Sequence, residues 1–371
     1  MKNKKILILV NHDLVIYNFR KELVEKLISE GFEVYVSSPN GKRIPELVDM
    51  GCKFIETNVN RHGKRPLEEI KLIRFYKKIM KEIQPLCVLT YTIKPNIYGA
   101  IAAKKYNIPC IANITGLGTA VEYKSITQAL TVNLYKYAFR DIHTVFFQNQ
   151  DNMNFFIDNS ISNSKRYELL PGSGVNLEEF SLLEYPKSDV IKFVFISRIM
   201  KEKGIDLYLE AAKIIKASHP KTEFHICGFC EDDYEEKLSE FEKLGYIKYH
   251  GMVTNIKEVL EYIHCTVHPS YYPEGISNVL LESSASGRPI ITTDRSGCRE
   301  VINNELNGYL VPEKNTKKLI EAIENFIKLD QRKRIKMGLE GRKFVEKNYN
   351  REIIVNTYLK KIKSIIIENE H

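Results

Sequence analysis

Tyr272-Pro-Glu-Gly-Ile-Ser-Asn-Val-Leu-Leu-Glu282 reads as a strand exit, a Pro/Gly turn and the entry of a helix. The preceding apolar run ends at about His268, and the spacing predicts a helix beginning near Ser277. Glu274 then stands just before the helix, and Glu282 lies over a turn inside it. In such a first turn the N–H groups of Ser277, Asn278 and Val279 have no carbonyl four residues back and are open to a diphosphate. Two carboxylates beside an anion site are costly if idle. They make sense as acceptors of hydrogen bonds from the hydroxyl groups of a sugar nucleotide.

Working outward, short β-rich runs alternate with amphipathic stretches of helix length, the signature of parallel α/β sheets. Strands are expected at Lys5–Val10, Glu33–Ser37, Phe54–Glu56, Leu86–Thr90, Pro109–Asn113 and Thr144–Phe147. Helices are expected at Tyr17–Glu30, Leu67–Ile83 and Ile97–Tyr106. The loop Pro171-Gly-Ser-Gly-Val-Asn176 breaks the rhythm, which restarts at Lys192–Ser197 with a helix from Gly204 to about Ala217. Further strands follow at Glu223–Cys227, Ile247–His250, Thr266–His268 and Pro289–Thr292. An interdomain linker is therefore placed between about Leu170 and Ser188. After Pro312 the chain turns helical, and its last helix, Arg351–Ile367, carries Ile353, Ile354, Tyr358, Leu359, Ile362 and Ile365 as a stripe that needs an apolar surface.

The 371 residues are 43% hydrophobic and 27% charged, a globular balance rather than a disordered one. No apolar run nears the roughly 18 residues of a membrane span, and Ile6–Val10 is too short for a signal-peptide core, so a cytoplasmic protein is expected. Seven cysteines are scattered through apolar runs and read as free thiols. Cys227-Gly-Phe-Cys230 has redox spacing but no second pair for zinc, and an isolated motif out of its structural context is weak evidence for redox chemistry or metal binding. The net charge of +8 is uneven. Residues 1–140 hold 23 Lys and Arg against 12 Asp and Glu, leaving 32 against 35 for the remainder. Such a basic half meets nucleic acid, anionic lipid or an anionic substrate; the acidic second half and the lack of an RNA or DNA module argue against nucleic acid.

The spacing of Glu274 and Glu282 is by itself weak. Its surroundings make it specific. Phe195-Ile-Ser-Arg-Ile-Met-Lys-Glu-Lys-Gly204 places Arg198 and Lys203 after a buried strand, where two cations suit a diphosphate leaving group. Each charge alone would more often be a solvated loop residue, and Glu282 an ordinary exposed helical carboxylate. As an ordered set, with Pro171–Asn176, Gly228, His268-Pro-Ser270 and Ser296-Gly-Cys-Arg-Glu300, they resemble the GT-B glycosyltransferases of family 4 across nearly all of residues 165–312. The resemblance implies two Rossmann-like domains with parallel sheets facing across a cleft: residues 1–175 for the acceptor, with 351–371 returning to them, and 185–350 for the donor. It implies that Glu274 contacts the transferred sugar and Glu282 the nucleotide ribose. Arg198, Lys203 and Glu274 then form the catalytic set, with Gly228, Gly275, Ser277, Asn278, Val279 and Glu282 completing donor binding.

In the first half, Thr90-Tyr-Thr-Ile-Lys-Pro-Asn-Ile-Tyr-Gly99 and Asn113-Ile-Thr-Gly-Leu-Gly118 are similar to the family members that build bacterial capsules, O-antigens and lipid-linked oligosaccharides. Lys94, Asn96, Thr115 and Gly116 follow strand ends, where ligands bind in such sheets. Gly116 and Gly118 read equally well as turn glycines. The first turn, Asn11-His-Asp-Leu-Val-Ile-Tyr-Asn-Phe-Arg20, lacks the glycines common in this fold; His12, Asp13, Tyr17 and Arg20 are acceptor candidates instead. Where many members carry a histidine, this chain has Ile93 and Lys94.

The resemblance implies retaining transfer of a hexose or N-acetylhexosamine from a UDP-sugar to an undecaprenyl-diphosphate-linked saccharide in bacterial surface polysaccharide synthesis. No protein base is named, since the departing diphosphate can take the acceptor proton. No cofactor is implied, and no Asp-x-Asp metal site stands out, so metal independence is expected. Peripheral contact with the inner membrane is expected through Arg61-His-Gly-Lys-Arg65 and the helix Leu67–Ile83. There Lys71, Arg74, Lys77, Lys78 and Lys81 line one side, each worth about 1 kcal/mol near anionic lipid. Leu67, Ile70, Ile73, Phe75, Ile79 and Met80 supply apolar contacts; an ordinary surface helix has the same pattern. Two other classes fit the donor motif: a sugar-nucleotide epimerase of the same fold, and a non-catalytic sugar-nucleotide-binding subunit.

Overall fold

The computed structural model describes residues 3–57, 66–118, 121–122 and 124–368. The basic stretch Arg61–Arg65 lies outside them. The chain forms two compact units, Met1–Gly174 with Arg351–His371, and Val175–Asn350.

The first unit runs β1 (Lys5–Leu9), α1 (Asp13–Phe19), α2 (Lys21–Ser29), β2 (Glu33–Ser38), α3 (Ile44–Asp49), β3 (Lys53–Glu56) and α4 (Pro66–Ile83). It continues through β4 (Cys87–Tyr91), α5 (Ile93–Lys105), β5 (Cys110–Ile114), α6 (Ile126–Phe139), β6 (Thr144–Phe147), α7 (Gln150–Asp158) and β7 (Tyr167–Leu169). Its strands pair in parallel in the order β3-β2-β1-β4-β5-β6-β7. Helices cover both faces, so β4, β5 and β6 are buried at every position and read as mainly apolar runs without an exposed alternate side.

The second unit holds β8 (Ile191–Ile196), α8 (Ile205–Ser218), β9 (Thr222–Cys227), α9 (Glu235–Lys243), β10 (Lys248–Tyr249), α10 (Ile256–Tyr262) and β11 (Cys265–His268). Then come α11 (Asn278–Ala285), β12 (Ile290–Thr293), β13 (Gly308–Val311), α12 (Thr316–Lys328) and α13 (Gln331–Asn348). The order β10-β9-β8-β11-β12-β13 reverses direction between β8 and β11, as the first sheet does between β1 and β4. Ligand sites in open parallel sheets form at such reversals, beyond the strand C-termini.

The final helix, α14 (Arg351–Glu368), belongs to the first unit. Its Ile354, Val355, Tyr358, Leu359, Ile362 and Ile365 share a core cluster with Ile6 and Ile8 of β1 and Leu23 and Leu27 of α2. Burial of each large side chain contributes about 1.5–3 kcal/mol. Arg351 fastens the start of this helix, donating to both Glu22 oxygens at 2.9 and 3.0 Å and to the carbonyls of Asn18 and Gly174 at 3.1 Å.

The structure departs from the sequence reading at several elements. The expected helix Tyr17–Glu30 is broken at Arg20, whose φ of −139° leaves the helical region. The edge strands β7 and β13 were not anticipated, being only three and four residues long and each followed closely by a proline. On α4, Leu67 and Ile70 face outward rather than into the core, which takes Leu72, Tyr76, Ile79, Met80 and Ile83 instead. Much of the expected linker is packed onto the second unit. There Arg342 donates to the Phe180 carbonyl, buried Arg288 to that of Glu184, and Tyr185 to that of His264, at 2.8, 2.8 and 3.0 Å.

Candidate functional site

The second unit assembles the donor candidates at the C-terminal ends of β8 and β11. Beyond β8 the chain makes one tight turn, Lys201–Lys203, and Gly204 closes it at φ +80°. A side chain at 204 would strike the Pro269 carbonyl, so only glycine lets this turn lie against the strand end of β11. The Tyr271 N–H donates to the Glu202 carbonyl at 2.8 Å and fixes the approach. Lys203 is thereby delivered to Glu274, and the two form an ion pair with side chains only 9% and 17% exposed.

Burial opposes the charge on Glu274, but the Lys203 ammonium and the His268 imidazole together outweigh it and hold the carboxyl well below the usual carboxylate range. Ser270 Oγ donates to the same carboxylate oxygen at 3.3 Å, and His268 Nε2 lies 3.8 Å from it. Burial pushes the His268 imidazole down, which leaves Lys203 as the cation of the group. The Tyr272 ring lies beneath both upstream cations, its centroid 5.0 Å from Lys203 Nζ and 5.4 Å from Arg198 Cζ.

Arg198 is paired with Glu231. The loop carrying Glu231 is tied to the Arg198 loop by Ile199 N–H to Phe229 O at 2.8 Å and Glu231 N–H to Ile199 O at 3.0 Å. Gly228 makes this closeness feasible, since any Cβ there would strike the Ser197 carbonyl. Its glycine is therefore explained by packing between two strand ends.

The helix α11 begins one residue later than expected, with Ser277 as its N-cap. The Ser277 N–H is not available to an anion, because it donates to the Gly297 carbonyl at 2.8 Å, and its hydroxyl lies 3.3 Å from His268 Nε2. The first bond along the helix runs from Leu281 to Ser277, so the helix supplies no acceptor for the N–H groups of Asn278 and Val279. Asn278, Val279 and Glu282 form the partly exposed face of α11, while Leu280, Leu281, Ser283, Ser284 and Ala285 are buried. Gly275 packs against Gly297, where a Cβ would strike the Gly275 carbonyl. Glu300 supports that loop by accepting from the Gly297 N–H at 2.7 Å and Ser296 Oγ at 3.2 Å. Glu231, His268, Ser270 and Tyr272 are the residues to which the sequence reading gave no role. The acidic run Glu231–Asp233 was the available signal for Glu231, and the motifs His268-Pro-Ser270 and Tyr272–Glu282 for the other three.

In the first unit the candidates separate. Arg20 is an interior residue, 2% exposed, with its guanidinium over the Tyr91 and Tyr358 rings at 5.0 and 6.0 Å. Asn96 is likewise interior. It accepts from Thr90 Oγ1 at 2.7 Å and donates to the Asn113 carbonyl at 2.9 Å, pinning α5 to the ends of β4 and β5. The polar groups of both are buried within the first unit, where they brace its scaffold. Asp13 is also buried; it accepts from the Arg43 N–H at 2.8 Å and lies 2.7 Å from His12 Nδ1. Tyr17 carries Arg43 over its ring at 4.6 Å. Lys94 pairs with Glu69 at 2.6 Å. Thr115 and Gly116 lie part-exposed beyond β5, and φ values of +141° and +68° at Gly116 and Gly118 account for both glycines. Thr92, to which no role was assigned, sits at a strand end with φ +69°, an outlier for a β-branched residue, and its buried hydroxyl has no partner among the described residues.

Among the described residues no group of three His, Cys, Asp or Glu side chains is placed to hold a metal ion. All seven cysteines are free, and burial pushes the Cys227 thiol up to about 11, away from the reactive thiolate.

Two family models match the chain: "Glycosyl transferases group 1" over residues 183–344 and "Glycosyl transferase 4-like" over residues 5–149. An N,N'-diacetylbacillosaminyl-diphospho-undecaprenol alpha-1,3-N-acetylgalactosaminyltransferase of Campylobacter jejuni is 27% identical over 93% of this chain and 94% of its own. The capsular polysaccharide biosynthesis glycosyltransferase CapM of Staphylococcus aureus is 26% identical over 97% and 99%. Among solved structures, Anabaena HepE in complex with UDP and glucose superposes with a TM-score of 0.79 at 16% identity, covering 97% of this chain and 100% of that one.

Proposed function

This chain belongs to the glycosyl transferases of group 1, with the GT-B fold, and on that premise we propose that it is a retaining hexosyl- or N-acetylhexosaminyltransferase using a UDP-sugar. The observation that carries the reading is the buried Lys203–Glu274 pair set just before the helix entry of α11. Glu274, held ionised, accepts hydrogen bonds from hydroxyls of the transferred sugar. Lys203 has two further ammonium protons, and with Arg198 and the Asn278 and Val279 N–H groups it meets the diphosphate. Glu282, on the same helix face as Asn278, accepts from the ribose. In transfer the bond from the sugar C1 to the diphosphate oxygen breaks, and the acceptor oxygen bonds to C1 on the same face. The acceptor proton passes to the departing diphosphate, whose growing charge the two cations stabilise.

The acceptor is an undecaprenyl-diphosphate-linked saccharide of a bacterial surface polysaccharide, by analogy with the two relatives. No described helix is long and apolar enough to cross a membrane. Contact with the inner leaflet is peripheral, through the exposed cations Lys71, Arg74, Lys78 and Lys81 of α4.

The test is transfer from a panel of nucleotide sugars to lipid-linked acceptors in chelator, read as nucleotide release and as the anomeric configuration of the product. Retained α-configuration with undiminished turnover is expected. An inverted product, a strict metal requirement, or a sugar altered without any acceptor would each overturn the reading. Glu274→Gln lowers turnover about 100-fold or more if the carboxylate acts on the transition state.

A further inference from the structure

The helix α6 is apolar on both sides. Val132, Tyr135 and Phe139 enter the core of the first unit, as a surface helix requires. On the opposite side Ile126, Leu130, Leu134 and Tyr137 are 83, 61, 42 and 65% exposed. At 3.6 residues per turn these four fall within an arc of about 80°. Isolated exposed apolar residues need no explanation, but a continuous stripe marks an interaction surface.

The surroundings of the stripe identify what covers it. From Lys124 to Arg140 the segment has no Asp or Glu, and Lys124, Lys136 and Arg140 are exposed along it. The helix α5 packs against both α4 and α6, so the three form one layer over the same core cluster. The outward side of α4 carries Leu67 and Ile70, 74 and 44% exposed, followed by Lys71, Arg74 and Lys78. Each of these helices runs back against the strands it connects, so the first turns of α4 and α6 lie toward the strand C-termini. Apolar side chains thus stand nearest the ligand-binding edge, with cations beside them. Two copies joined face to face through this layer would oppose their cations, which disfavours a dimer.

We propose that α6 is the membrane-inserting helix of this protein. It lies in the plane of an anionic bilayer, with Ile126, Leu130, Leu134 and Tyr137 at the boundary of headgroups and acyl chains and the cations of α4 against the headgroups. The α4 cations of the proposed function supply attraction, and the α6 stripe supplies insertion. The proposal shares the membrane with that reading and requires neither its donor nor its acceptor.

The full chain is floated with vesicles of equimolar phosphatidylglycerol and phosphatidylethanolamine, and with phosphatidylcholine alone, in the absence of any sugar nucleotide. Flotation with the anionic vesicles only is expected. Combined Ile126→Gln, Leu130→Gln, Leu134→Gln and Tyr137→Ser lowers it ~10-fold or more with unchanged thermal unfolding, since all four side chains are exposed. The chain has no tryptophan, so Leu130→Trp alone reports insertion as a blue shift of emission when the anionic vesicles are added. Absence of flotation, an undiminished fourfold variant or an unshifted Leu130→Trp spectrum overturns the proposal. So does a lipid-free dimer that the fourfold variant converts to monomer. Loss of nucleotide release with intact flotation would instead count against the catalytic reading alone.

Discussion

Lys203 and Glu274 each make the other tolerable in a largely buried position. Replacing Lys203 by Met strands the carboxylate and is expected to cost about 3–5 kcal/mol, read as a lowered denaturation midpoint. Lys203→Met combined with Glu274→Gln recovers most of that stability and none of the transfer, which separates folding from catalysis. Histidine titration gives a second expectation. Burial pushes His225 and His264 down to about 4, below the ordinary value of 6.5. The unfolded chain therefore takes up these protons first, and the stability tied to the neutral rings is full above pH 6.5 and is lost as the pH falls toward 4. The urea midpoint should drop over that window, and less steeply in His225→Gln; equal slopes for the two proteins would refute this origin.

At the scale of elements, the site depends on two turns that approach neighbouring backbone. Gly204 and Gly228 both have positive φ and both leave no room for a Cβ beside a carbonyl. Gly204→Ala is expected to cost ~1–3 kcal/mol and to reduce transfer, because the turn that carries Lys203 must back away from Pro269. Gly118→Ala makes a suitable contrast: its φ is also positive, but the nearest atom to an added Cβ is Ile93 Cδ1 at 3.5 Å. Comparable losses of nucleotide release in both variants would argue against the positioning role of Gly204. The strand ends, the turn after β11 and the helix α11 were legible in sequence because apolar runs and Pro/Gly punctuation mark them directly. The engagement of the Ser277 N–H with Gly297 was not, since its partner arrives from a loop twenty residues away.

Over the whole molecule, α14 is remote in sequence from the sheet it covers, and the first unit is complete only with it. Ile362→Ala, at a fully buried position, is expected to cost about 2–5 kcal/mol, with an earlier unfolding transition by chemical denaturation. Truncation after Asn350 exposes Ile6, Ile8, Leu23 and Leu27 to water, and the shortened chain should aggregate rather than lose activity alone. A soluble, cooperatively folding truncation would show that the helix is dispensable.

Sequence alone determined the parallel α/β class, the family resemblance and the ordered set Arg198, Lys203, Glu274 and Glu282, because periodicity and local spacing are properties of contiguous residues. It left to tertiary structure the fate of each charge. Arg20 and Arg198 are indistinguishable as letters, yet one is buried against two neighbouring tyrosine rings and the other is held at a strand end by Glu231. The outward stripe of α6 is of the same kind: the chain shows apolar residues on both sides of the helix, and only packing decides which side the core takes. Partners of buried charges and exposed apolar faces are set by residues distant in sequence, and the free energy of burial is decided where those residues meet.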